Sequence, residues 1–229
     1  MNRIYILLIG FTLCAGQSYT VTIFGMAAAN VEQNINTTGT IKYTTQNRGI
    51  FDLIWPATNV YTTQYDPDTF GITSWRKKIR QGKFQSNISA ELDSSGSLVY
   101  NDKTKINIQG ETQTIFTLLA MVQLKNMEPL DTKWFNYEHE GQLGKARFIW
   151  ADSSHIWNGK DSTLCDHYRL DININEALGQ FMANSDYFME EIIREGVVRE
   201  LWVSKEIPKK IIQVRIKTKW YPVLATINE

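Results

Sequence analysis

Glu138 and Glu140, two positions apart, are the carboxylate pair best spaced for acid and base work on a glycosidic bond, and read as exposed strand carboxylates. His139, His155 and His167 are the only histidines, and Cys165 precedes His167 by two residues. Imidazole and thiolate are zinc ligands, yet no usual ligand spacing is present and no metal site is expected. Asp66-Pro67-Asp68-Thr69-Phe70-Gly71 begins like a calcium loop, but Phe70 and Lys77 occupy its fifth and twelfth positions, where oxygen ligands are required. Ser153-Ser154-His155 lacks the Gly-x-Ser-x-Gly elbow of a nucleophilic serine, and no phosphate-binding glycine loop occurs. The sequence therefore predicts neither a catalytic site nor a cofactor.

Binding chemistry is better represented. Trp55, Trp75, Trp134, Trp150, Trp202 and Trp220, with Trp157, make seven tryptophans, which read either as core of a β protein or as the lining of a pocket for an acyl chain or a stacking face for sugars. Arg76, Lys77, Lys78, Arg80 and Lys83 form a basic run that reads either as a solvated hairpin or as a contact for anionic headgroups, lipid phosphates or acidic glycans. Lys205, Lys209, Lys210, Arg215, Lys217 and Lys219 form a second basic set.

The elements that must position these residues read mainly as strands. Thr, Tyr, Ile and Val alternate through Thr40–Thr45 and Val60–Tyr65, and again through Ile212–Trp220. Turn residues recur at Gly39, Gly49, Pro67, Gly82, Gly96 and Asn101, a spacing of roughly 8–12 residues that marks an antiparallel meander. Further strands fall at 147–150, 163–172, 198–204 and 223–227. Two segments break the alternation. Ile115–Leu124 is apolar nearly all round, as a buried helix is. Asn175–Glu195 carries an apolar stripe, with Asn175 to cap it and Gly196 to end it. The predicted fold class is mainly β: a curved antiparallel sheet or open half-barrel wrapped around a buried helix, with a second helical insertion.

Met1–Arg3 is cationic, Ile4–Leu13 is an apolar run, and Cys14-Ala15-Gly16 is small, which together read as an export signal over residues 1–16. The run is too short to span a bilayer, which takes ~20 residues. Residues 17–229 are then a single exported domain with no transmembrane span. Lipidation of Cys14 is the alternative, disfavoured by Leu13 before it. Twenty-four Lys and Arg balance 24 Asp and Glu, so nothing marks a nucleic-acid binder.

Tyr19–Gly25 followed by Ala27-Ala28-Ala29, the segment Thr69-Phe70-Gly71-Ile72, the helix 114–124, and Glu200-Leu201-Trp202-Val203-Ser204 before Ile207-Pro208-Lys209-Lys210 follow one another in a telling order. In that order the chain resembles the bacterial exported β-protein family known as domain of unknown function 3108, with 175–195 as an insertion. Such proteins are similar in outline to the periplasmic lipoprotein carriers LolA and LolB, whose curved open sheet holds acyl chains under a helical lid. The resemblance implies a non-enzymatic protein of the periplasm or outer-membrane periphery that binds an apolar or amphipathic, lipid-like ligand. A structural or interaction module touching envelope proteins or glycans is the second expectation, and a glycan-acting hydrolase the third.

Overall fold

The computed structural model describes residues 14–228 apart from 102, 127, 129, 175–185 and 220. In chain order the elements are β1 (Cys14–Ile23), β2 (Met26–Asn36), β3 (Thr40–Asn47), α1 (Gly49–Ile54), β4 (Ala57–Tyr65), β5 (Ile72–Gln81), β6 (Phe84–Leu92), β7 (Ser97–Tyr100), β8 (Thr104–Asn107) and β9 (Thr112–Gln113). After these come α2 (Ile115–Leu124), β10 (Phe135–His139), β11 (Gln142–Trp157), β12 (Ser162–Ile174), α3 (Tyr187–Ile193), β13 (Val198–Ser204), β14 (Ile211–Lys217) and β15 (Pro222–Asn228).

The fifteen strands among the described residues join one sheet. The meander β1 to β8 runs outward in sequence order on one side, and β15 back to β9 on the other, the halves meeting where β1 pairs with β15. Neighbours are antiparallel except the short pair β9 and β10. This is the expected mainly β, curved sheet around a helix.

Two devices turn that sheet into a half-barrel. Alternation puts one row of each strand inside: Ile41 and Tyr43 on β3, Tyr61, Thr63 and Tyr65 on β4, Trp75, Lys77, Ile79 and Gln81 on β5. Helix α2 fills the concavity, lying against β3, β4 and β9. Its Leu118, Ala120, Met121 and Val122 are fully enclosed, as all-round apolarity demands. A reciprocal cap starts it: Thr114 Oγ1 accepts from the Thr117 amide at 3.3 Å, and Thr117 Oγ1 from the Thr114 amide at 2.9 Å.

The second helix ends at Ile193, two residues before the end of the segment that carries its apolar stripe. Within the described residues of that stripe Tyr187–Ile193 is helical, capped by Asp186, and Gly196 at φ +76° stands in the turn that ends it. Asn175–Ser185, including the expected cap Asn175, lies outside the described residues. Most of the leader does too, while Cys14, Ala15 and Gly16 pair with Asn36, Ile35 and Asn34 in β1 and β2. Helix α1 was read as a turn and buries no side chain, so hydrophobic periodicity left no trace of it.

Candidate functional site

An apolar cavity of about 140 Å³ remains between the sheet and the helices. Tyr19, Tyr43 and Tyr61 line it from the first half of the sheet, Leu201, Val214 and Ala225 from the second. Phe116 and Leu119 of α2, and Phe188, Met189 and Ile192 of α3, complete the wall. Phe116 packs between Tyr43 and Tyr61, with ring centroids 5.2 and 5.1 Å away. The single charged liner is Arg199, whose guanidinium is spent on carbonyls at the end of α3: Ile192 at 2.5 Å, Arg194 at 2.8 Å and Val197 at 2.9 Å. Asp186 holds the other end, accepting from Tyr61 Oη at 2.5 Å and Gln81 Nε2 at 3.1 Å. Helix α3 is thus tied at both termini to the strands that form the cavity wall.

Beside this cavity lies a smaller one of about 30 Å³ that shares Tyr61, Ile115, Phe116 and Met189 with it. Its floor is ionic. Glu138 accepts from Trp75 Nε1 at 3.1 Å, Tyr100 Oη at 2.5 Å and the Gly141 amide at 2.8 Å. Lys77 is ion-paired with Glu140, and His139 Nε2 lies 3.2 Å from the same carboxylate. These bonds cross from β5 and β7 to the β10–β11 turn, so they close the seam that backbone pairing leaves open.

Electrostatics in the cluster follow burial. Desolvation lowers the Lys77 ammonium to about 8 although Asp186 and Glu138 favour its charge. Desolvation raises Glu138 against its three donors. His139 is pushed down to about 3, first by burial and then by the Lys77 charge. A neutral buried imidazole is lost to acid, because the unfolded chain takes up the proton near pH 6.5 and the folded one does not. Its stability contribution is full above that pH and falls toward pH 3 by up to about 1.4 kcal/mol per unit. Glu138 works in the opposite sense, so the comparison with a variant isolates His139. In urea titrations at neutral pH and at about pH 4.5, His139→Gln should lose distinctly less stability on acidification than the parent protein. Equal losses would remove His139 from the account.

Several sequence expectations are corrected here. Glu138 and Glu140 are buried, at 1% and 7% exposure, rather than displayed on a strand face, and Glu140 sits in the turn at φ +49°. All three donors to Glu138 converge on it, which suits a structural anchor better than an acid waiting for substrate. Lys77 alternates inward and is 4% exposed, so it does not join Arg76, Lys78, Arg80 and Lys83 in an exposed basic patch. Among the described tryptophans none lines the apolar cavity: its aromatic wall is Tyr and Phe.

The tryptophans are instead dispersed. Trp75 borders the small cavity, and Trp202 stacks on His167 at 4.3 Å. Trp55, Trp134, Trp150 and Trp157 are exposed, Trp134 lying under Arg147, and Trp220 is outside the described residues. Cys165 is a buried free thiol, and no group of three His, Cys, Asp or Glu able to hold a metal ion occurs among the described residues.

Sequence reasoning missed Arg199 and Asp186. Asp186 did leave a signal, a carboxylate directly before Tyr187-Phe188-Met189, as a helix cap requires. Lys77 left one as well, since it shares strand parity with Trp75 and Ile79.

Neither a family model nor a curated protein matches the chain. A similar solved structure is a β-barrel-like protein of domain of unknown function DUF1849 from Brucella abortus. It is 8% identical, covers 95% of this chain and 97% of its own, and superposes with a TM-score of 0.56. That likeness supports a β-barrel-like fold of the domain-of-unknown-function kind over nearly the whole chain, and does not single out domain 3108. No helix among the described residues is long and apolar enough to cross a membrane.

Proposed function

We propose that this chain is an exported, envelope-associated binding protein without catalytic activity, and that it holds the apolar part of a lipid-like ligand between its sheet and its helices. One observation carries the reading: the cavity of about 140 Å³ has a wall of aliphatic and aromatic side chains, its one cation being occupied by backbone carbonyls. A cavity of roughly 150 Å³ with such a lining stays dry and accepts benzene, so the occupant is a ring or the end of an acyl chain. Each buried methylene contributes ~0.8 kcal/mol, so a few of them bind in the millimolar to micromolar range. The polar end of an amphipathic ligand then faces the smaller cavity, where Thr63, Thr114 and Lys77 stand. The signal-like start of the chain supports the periplasm or outer-membrane periphery as its place, and affinity with domain 3108 and the LolA and LolB outline belongs to the same reading.

The competing reading is a structural or interaction module, favoured by how completely α2 fills the concavity. Protein secreted from a bacterial host and extracted with organic solvent separates the two. Mass spectrometry of the extract is expected to show a lipid-like species above the level found in an unrelated exported protein prepared in the same way. An extract with none favours the interaction module.

A further inference from the structure

The outer face of β3 to β6 is unlike the rest of the sheet surface. Strand register places Lys42, Thr62, Arg76 and Ser89 side by side across four strands. One step along, Lys78 stands between Val60 and Asn87, and one further, Arg80 between Thr58 and Gln85. Side chains two apart on a strand are ~6.6 Å from each other, so Arg76, Lys78 and Arg80 form a regular cationic file, with Lys42 beside it.

Two grooves of about 770 and 560 Å³ run over this face and meet at Val60 and Lys78. Glu91, at the margin, is the one acid on their walls. Lys42, Arg76, Lys78 and Arg80 form no ion pair among the described residues, whereas Arg215 and Lys217 of the second basic set share Glu200.

The geometry points to this face as a binding site for a linear acidic polysaccharide. Charge complementarity supplies the attraction, and the hydroxyl and carboxamide side chains between the cations supply hydrogen bonds for sugar hydroxyls. The face disfavours the other polyanions. Single-stranded nucleic acid is held by aromatic platforms, and Trp75, the aromatic on these walls, sends its indole to Glu138 on the opposite face. A bilayer is flat and is gripped by large apolar wedges, whereas this surface is grooved and its outward apolar side chains are the small Val60 and Val99. The site is separate from the apolar cavity and stands or falls without it.

Binding of the full chain to immobilised polygalacturonate, read by interferometry at low and at high ionic strength, tests the assignment. Dextran, oligothymidylate and phosphatidylglycerol vesicles are measured in parallel. The expected result is saturable binding to the polyuronate, absent on dextran and weakened by salt. Arg76→Ser, Lys78→Ser and Arg80→Ser combined should weaken it by roughly tenfold or more with an unchanged circular dichroism spectrum. Binding no better than to dextran, equal binding by the triple variant, or preference for the oligonucleotide or the vesicles would overturn it.

Discussion

Glu138→Ala is expected to cost about 3–5 kcal/mol, a large share of a typical domain's stability. The reason is positional. The carboxylate accepts from a buried indole, a buried phenol and a turn amide at once, and truncation leaves all three donors without their acceptor in a site that water barely enters. It also strips one of three carboxylates from the neighbourhood of Lys77, whose buried charge Glu138 and Asp186 support. Because those donors belong to β5, β7 and the turn after β10, the loss opens the seam rather than loosening one strand. Urea unfolding of parent and variant at neutral pH gives the difference, and Glu138→Gln, which keeps an acceptor, should recover a good part of it. A loss under 1 kcal/mol on Glu138→Ala would mean the seam is held by backbone pairing and apolar packing alone.

Ala225→Phe is expected to abolish occupancy of the apolar cavity while leaving the fold in place. Ala225 is the smallest cavity residue, on β15 between Val21 of β1 and Val214 of β14, so a ring placed there enters space that no side chain uses. Overpacking costs about 1–3 kcal/mol where a ring must displace neighbours, and less where it fills a void. The near-ultraviolet circular dichroism signal of the buried tyrosines reports which of these happens. Loss of ligand with retained tertiary signal isolates the cavity as the cause.

How much of this was readable in advance follows from the range of the interactions involved. Ile115–Leu124 was legible to the residue, because a ten-residue run with no polar face has one stable place, inside. Val198–Ser204 and the turns at Gly39, Gly82 and Gly96 were legible because alternation and left-handed glycines are local signals. Glu138 and Lys77 were misplaced because their partners are 63 residues away or, for Tyr100, 38, and no window along the chain contains both ends. The tryptophans misled for a related reason. Their number suggested a lining, but indole rings serve equally well as hydrogen-bond donors to carboxylates, as Trp75 does, or as partners for cations, as Trp134 and Trp202 do. The basic run 76–80 was half right: strand parity sends Lys77 inward, leaves the other three outward, and register adds Lys42 from a segment 34 residues earlier, aligned with Arg76 through Thr62.

A titration of the purified full chain and of Ala225→Phe with a fluorescent fatty acid tests the central claim most directly. Saturable uptake by the parent protein with one site per chain, competed by an unlabelled fatty acid and lost in a folded Ala225→Phe variant, is the result this account predicts. Uptake that never saturates, or that survives unchanged when the cavity is filled, would contradict it.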